Sequence, residues 1–203
     1  GVIIPPAGYL KALRELCKKY DIFYISDEVI TGFGRLGMMF ASNEWNLDPD
    51  IMTLAKGLTS GYVPFGAVMV SDQIIETLND AGYFAHGFTY SGHPVGAAAA
   101  LANIGLIERE NLVERVRDRI GPYFEQKLAT LRDHPAVGEV RSCKLIAAIE
   151  LLPKGGRKEL SPTLNLGIKM FDLVRKEGLI ARGIRNLLAI SPAFVITEPE
   201  VDF

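Results

Sequence analysis

The sequence predicts an α/β fold followed by a smaller α+β unit, and three observations carry that prediction. An apolar stripe at helical spacing leads into a short β-branched run at 22–26, and a second such run follows at Ile51. This is helix and strand in alternation. The two runs end on ionisable residues, Asp27 and Lys56. Ligands of α/β sheets sit beyond the carboxyl ends of the strands, so two parallel neighbours would present both groups to one crevice. Beyond Asn111 the pattern changes to a long amphipathic helix and then short strands. The expected division is residues 1–110 and 111–203.

Each element has its own signal. Pro5 and Pro6 close an opening extended piece. Leu10, Leu13, Leu16, Cys17 and Tyr20 then recur at helical spacing over 7–20. Asp21 breaks that pattern, and 22–26 reads as a buried strand. A third strand is expected at 66–70, after which Ser71 caps a short helix carrying Ile74, Ile75 and Leu78. Pro94 opens a helix over 93–108, whose small residues at 97–100 suit close packing.

In the second unit, Asn111 with Glu114 has the form of a capping box. Leu112, Val116, Ile120, Phe124, Leu128 and Leu131 make one stripe, with a bend expected at Gly121-Pro122. Strands follow at 137–141 and 145–152. Ser161-Pro162 starts a helix that runs to Gly178, and short strands are expected at 179–182 and 187–190. Thr197-Glu198-Pro199-Glu200 announces a last helix three residues before Phe203, while the other end enters a strand-like run at once. Both ends read as cut, which predicts a piece of a longer chain.

Composition narrows the function classes. A chain of 203 residues with 48% hydrophobic and 23% charged residues has the make-up of a globular protein with a real core. A net charge of −2 gives no electrostatic case for nucleic acid or an anionic membrane surface. No apolar run reaches the ~20 residues that span a bilayer. Cys17 and Cys143 are too few for a zinc site or a disulfide framework. They read as reduced thiols of a cytoplasmic protein. His86 and His93 lack a third ligand, so no metal is expected.

One motif misleads. Gly32-Phe33-Gly34-Arg35-Leu36-Gly37 fits G-x-G-x-x-G. A dinucleotide fingerprint needs a strand running directly into the first glycine and a helix opening at the last. Here five residues, 27–31, intervene, and the residues after Gly37 carry no helical stripe. The glycines read as a turn.

A carboxylate and an amine at adjacent strand ends can be a plain ion pair. They can also be what pyridoxal phosphate chemistry needs, a lysine for the Schiff base and an acid facing the pyridinium nitrogen. Three blocks bear on the choice. They are Asp27-Glu28-Val29-Ile30-Thr31-Gly32-Phe33-Gly34-Arg35, Ala55-Lys56-Gly57-Leu58-Thr59-Ser60-Gly61-Tyr62-Val63-Pro64, and Phe88-Thr89-Tyr90-Ser91-Gly92-His93-Pro94. In content, order and spacing they resemble the class III aminotransferases, pyridoxal 5'-phosphate enzymes of fold type I. The resemblance covers essentially the whole chain and matches the later half of a full-length member. It implies a partial fold type I large domain followed by a small C-terminal domain.

The resemblance also implies roles. Lys56 would form the Schiff base and shuttle the proton, and Asp27 would stay ionised opposite the ring nitrogen. Val29 would pack on the ring, on Asp27's side if the strand continues, while Glu28 faces away in a structural role. Thr89, helped by the Phe88 backbone, would reach the cofactor phosphate of the neighbouring subunit, which implies a homodimer with shared sites. Arg182, in a loosely matching segment, would bind a substrate carboxylate; a surface arginine is the competing reading. The activity implied is transfer of an amino group from an amine or ω-amino acid to a 2-oxo acid such as pyruvate. The family's phosphate-binding Gly-Ser turn and its stacking aromatic lie upstream of the matching region. Two alternatives therefore stand: a catalytically silent fragment or complementing half, and a related aminomutase or decarboxylase.

Overall fold

The computed structural model describes residues 1–203 in two units. One is Pro5–Val113, and the other joins Gly1–Ile4 to Glu114–Phe203. The opening residues group with the later unit because Arg141 holds them. Its Nε donates to the Val2 carbonyl at 2.9 Å and its Nη2 to that of Gly1 at 3.3 Å. The division expected from the sequence places Gly1–Ile4 with the residues that follow them.

In the first unit, helix α1 (Tyr9–Lys19) ends on two lysines, which suit the negative end of its dipole. The chain reverses at Asp21, whose φ of 53° is left-handed, and enters strand β1 (Ile25–Asp27). Helix α2 (Ala41–Glu44) and strand β2 (Ile51–Leu54) follow. β1 and β2 are parallel, with Ile25 opposite Ile51 and Asp27 opposite Thr53. Strand β3 (Ala67–Val70) pairs antiparallel on the far side of β2, giving the order β1-β2-β3.

β1 is therefore an edge strand, and the buried strand expected at 22–26 is not what forms. Ile22, Phe23 and Ile25 are all more than half exposed, because only one side of the strand is covered. Helix α3 (Asp72–Asp80) follows Ser71, but the serine side chain makes no capping bond. Its carbonyl instead accepts the N–H groups of Ile74 and Ile75, both at 3.1 Å. Helix α4 (Pro94–Arg109) starts at Pro94 as expected, and His93 Nδ1 accepts the Val95 N–H at 3.3 Å. The core of this unit is Phe33, Leu36, Leu47, Leu54, Leu58, Ala100 and Ile107.

The long stripe of the second unit forms as helix α5 (Leu112–Arg115), a π-type turn over Val116–Ile120, and helix α6 (Gly121–Ala129). The wide turn sits directly before Gly121-Pro122, where proline has no N–H to give to the helical ladder. Val116, Ile120, Phe124 and Leu128 pack on Val140, Leu145, Ala147, Ile149 and Leu151. The last five belong to strands β4 (Val137–Cys143) and β5 (Ile146–Leu151) and the turn between them.

The helix expected from Ser161 to Gly178 is interrupted. A 3₁₀ turn at Pro162–Leu164 comes first, Asn165 is left-handed at φ 51°, and helix α7 runs over Leu166–Lys176. Strand β6 (Arg182–Ile184) begins where 179–182 was expected to end, and β7 (Leu187–Ile190) falls as expected. The antiparallel sheet has the order β4-β5-β7-β6. Helix α8 (Glu198–Asp202) carries the expected capping box, with Glu200 accepting the Thr197 N–H at 2.7 Å.

Gly167, in the first turn of α7, marks a close approach. A Cβ there would stand 1.9 Å from the Leu187 carbonyl oxygen and 2.5 Å from its carbon, both backbone atoms. Gly167→Ala is expected to lower stability by about 1–3 kcal/mol through overpacking. Gly105 in α4, with nothing within 4 Å of a Cβ, is the control. Gly105→Ala should gain about 0.5–1 kcal/mol from lower backbone entropy. Urea denaturation of both variants checks the contrast.

Candidate active site

The site is built on the carboxyl ends of β1 and β2. Asp27 closes β1 as an exposed carboxylate whose Oδ1 accepts two hydrogen bonds. One comes from the Val29 N–H at 3.0 Å and one from Thr53 Oγ1 at 3.1 Å. The first is an Asx turn, which a short carboxylate makes with the backbone two residues on. The second comes from the residue facing Asp27 across the parallel ladder. Oδ2 has no bond within the chain.

The strand stops at Asp27, so alternation does not carry Val29 to the same face. Half-buried Val29 is placed by the Asx turn instead. Glu28, 1% exposed, fills a structural role more fully than its sequence context suggests. Its carboxylate accepts the backbone N–H groups of Ala41 (3.0 Å) and Ser42 (2.7 Å), so it sits at the N-terminus of α2. It also accepts from the hydroxyls of Ser26 and Thr31.

The glycines fold back over this carboxylate. The Gly32 N–H donates to the Glu28 carbonyl at 2.9 Å, and Gly34 and Gly37 have φ of 109° and 79°. No strand enters Gly32 and no helix opens at Gly37. Beside them, burial pushes the Arg35 guanidinium down to about 10.

Lys56 is exposed and stands two residues past β2, at the head of a 3₁₀ turn, Lys56–Leu58. Its φ is 43°, a left-handed conformation that a residue with a side chain adopts at some cost. Such strain, held by surrounding bonds, clusters at functional positions. The holding bonds are visible. Leu58 N–H donates to the Ala55 carbonyl at 2.9 Å, and the hydroxyl of Thr59, 2% exposed, donates to the Val63 carbonyl at 2.7 Å.

The two turns touch. A Cβ on Gly57 would lie 3.2 Å from Phe33 Cβ and 3.3 Å from the Gly32 carbonyl oxygen. The glycine run after Asp27 thus packs directly beneath the residue after Lys56.

Phe88 and Thr89 lie on an exposed loop ahead of α4. The loop is closed by Ser91, whose hydroxyl accepts the Phe88 N–H and whose own N–H donates to the Phe88 carbonyl, both at 2.9 Å. His86 stands edge-on to the Phe88 ring at 5.1 Å between centroids. The Thr89 hydroxyl makes no bond within the chain, so it is not spent on its own backbone. Arg182 belongs to the other unit. There it opens edge strand β6, opposite Ala189, and borders an apolar cavity of about 550 Å³ lined by Leu128, Met170, Val174 and Ile190.

Comparison with known proteins decides the family. The model for aminotransferase class-III matches residues 1–203. The chain belongs to the class III aminotransferases. It is 45% identical over 202 residues to putrescine–pyruvate aminotransferase of Pseudomonas aeruginosa, covering all of this chain and 44% of that protein. Over 207 residues it is 44% identical to mitochondrial gamma aminobutyrate transaminase 1 of Solanum lycopersicum, covering 40% of that one.

Among solved structures, it superposes on a thermostable (S)-enantioselective omega-transaminase from Thermomicrobium roseum with a TM-score of 0.93 at 44% identity. That match covers all of this chain and 45% of the other. The architecture is that part of the fold type I transaminase fold, and the chain spans less than half the length of the curated relatives it matches.

In this class III chain, two further residues belong to the site and were not singled out by sequence reasoning. Thr53 donates to Asp27 Oδ1 from the position opposite it, a pairing that only the folded ladder reveals. Asn103 reaches the Lys56 turn from α4, and its place in a small-residue helix gave no signal at all.

Proposed function

We propose that the chain is the lysine-bearing part of a pyridoxal 5'-phosphate-dependent aminotransferase. It would move an amino group from an amine or ω-amino acid to a 2-oxo acid such as pyruvate. The observation that carries this reading is the juxtaposition of Asp27 and Lys56. Asp27 ends β1 and Lys56 stands two residues past the end of its parallel neighbour β2, and the turns there pack together at Gly57 and Phe33.

The donor set fits the cofactor. Asp27 is anchored through Oδ1 alone, which leaves Oδ2 to accept an N–H from a ring nitrogen. When bound, pyridoxal phosphate supplies an aldehyde that an amine can attack and a protonated ring that accepts electrons. Lys56 Nζ would be the amine that holds the cofactor and, when free, would move a proton at the substrate carbon. Asp27 would face the ring nitrogen and keep it protonated. Val29 offers an apolar contact beside it. Thr89 Oγ1, exposed and without a bond inside the chain, suits a phosphate held across a homodimer with shared sites, whereas the Phe88 N–H is spent on Ser91 Oγ. Arg182 is assigned to a substrate carboxylate, a task for which a guanidinium fork is well shaped.

A second reading is favoured by one observation. The exposed apolar edge of β1, with Ile22, Phe23 and Ile25, suits a silent or complementing piece that needs a partner segment for turnover. One experiment separates the two. Pyridoxal phosphate is added to the 203-residue chain, the mixture is reduced with borohydride, and the modified lysine is mapped by mass spectrometry. Selective labelling at Lys56 is the expected result. Labelling scattered over the surface lysines would leave the chain in its family and overturn its assignment as a working cofactor site. Size-exclusion chromatography adds a check, since a clean monomer would count against shared sites.

A further inference from the structure

We infer that Asn103 is a positioning residue for Lys56, a role that rests on the reading of Lys56 given above. Its side chain makes three hydrogen bonds to the Lys56 turn. Nδ2 donates to the carbonyls of Gly57 (2.7 Å) and Leu58 (3.2 Å), and Oδ1 accepts from Ser60 Oγ at 2.6 Å. The orientation of the amide is settled by these partners, because a flipped amide would set its oxygen against two carbonyl oxygens.

The geometry shows why such a brace is needed. Lys56 and Ser60 are both left-handed, at φ 43° and 51°, and they bracket residues 57–59. Each such residue is strained and persists only where its surroundings over-determine it. The Gly57 carbonyl accepts only a long backbone bond, from the Ser60 N–H at 3.4 Å, and the Leu58 carbonyl, past the end of a one-turn 3₁₀ helix, has no following helical turn to satisfy it. Asn103 supplies the donors. It does so from mid-helix, where asparagine is a poorer helix former than the alanines around it.

The brace also has reach. α4 begins at Pro94, directly after the loop that carries Thr89. One helix therefore carries the phosphate-side loop at its N-terminus and, through Asn103, holds the backbone that aims the amine.

The test uses the 203-residue chain in four forms: parent, Asn103→Leu, Asn103→Gln and Ser60→Ala. Two quantities are measured, the rate of pyridoxal phosphate and borohydride trapping at Lys56, and amide hydrogen exchange at 57–60 without cofactor. Asn103→Leu keeps the size of the side chain and removes its donors. It is expected to slow Lys56 trapping about tenfold, the equivalent of about one net hydrogen bond. Exchange at 57–60 should quicken and the thermal midpoint should fall modestly, while the labelling of other lysines stays at parental values.

Asn103→Gln, which keeps the amide on a longer stem, should restore most of the rate. Where Asn103→Leu does not fold, Ser60→Ala removes a single bond at the surface and should slow trapping about threefold. Parental trapping rates in Asn103→Leu, or a loss that merely follows the thermal midpoint and is not rescued by glutamine, would overturn the positioning role and leave the Lys56 assignment intact. Scattered labelling in the parent itself would overturn both, and the parent arm alone reports that outcome.

Discussion

Lys56→Ala is expected to abolish selective trapping by pyridoxal phosphate and borohydride and to lower amine-to-pyruvate transfer by about 10⁴-fold or more, because in the proposed function one residue would carry both the covalent and the proton-transfer roles. Lys56→Arg separates chemistry from charge. A guanidinium keeps the positive charge but stays protonated, so it neither attaches the cofactor nor moves a proton, and its loss should match that of alanine. Neither variant should unfold the chain, since Lys56 is exposed and its bracing bonds come from other residues.

Backbone strain adds an independent readout. Alanine inherits the left-handed φ of 43°, whereas glycine adopts it freely. Lys56→Gly should therefore be more stable than Lys56→Ala by about 1 kcal/mol while equally inactive. Urea denaturation gives the stabilities, and peptide mapping gives the labelling. Trapping that survives at any other single lysine in Lys56→Ala would remove Lys56 from its role.

The elements legible in the sequence were those whose signals are local. β7 at Leu187–Ile190, the proline start of α4 and the capping box at Thr197–Glu200 each needed only a few residues to specify them. The parallel adjacency of β1 and β2 was also legible, because two β-branched runs separated by a long crossover have few other ways to pair. What could not be read was set by partners distant in the chain.

Glu28 was assigned a general structural role, yet its burial is fixed by Ala41 and Ser42, whose N–H groups it accepts 13 and 14 residues away. Val29 was placed by strand alternation, and the Asx turn of Asp27 ended the strand before it. Asn103 was invisible because its partners, Gly57 and Leu58, lie 46 and 45 residues earlier. The break in the 161–178 helix at Asn165 has a similar cause. The Asn186 side chain accepts the Leu166 N–H at 2.9 Å and donates to the Ser161 carbonyl at 2.7 Å, and this tertiary clamp overrode a continuous helical pattern.

Arg14→Met should cost about 1.5–3 kcal/mol, because it leaves the part-buried Asp50 carboxylate without its charged hydrogen-bond partner. Arg14 stands between the apolar residues of α1, yet it is 7% exposed. Its guanidinium grips Asp50 with both terminal nitrogens, at 2.7 and 3.2 Å. Asp50 also accepts the Tyr24 N–H at 2.7 Å. Burial alone would raise the Asp50 carboxyl, but the Tyr24 N–H and the Arg14 pair outweigh it and hold the group below the usual aspartate range.

The sign of the pH dependence follows. A carboxyl depressed in the folded state lends stability that is complete above its unfolded value of about 3.9, and that is lost as pH falls through the lower folded value. The parent should therefore lose stability in acid over that window, and Arg14→Met should lose less there because part of the contribution is already gone. Urea denaturation from about pH 3 to pH 7, spanning the unfolded aspartate value, measures both. An acid limb as steep in the variant as in the parent would mean that the pair is not its source.

The consequence reaches the site through register. Asp50 and Ile51 both donate their N–H groups to the Tyr24 carbonyl, at 3.0 and 3.2 Å, which fixes where β2 starts alongside β1. That start sets Asp27 opposite Thr53 and Lys56 three residues beyond it. Loosening Arg14 from Asp50 should thus lower selective trapping at Lys56 as well as stability, although neither residue belongs to the proposed cofactor site.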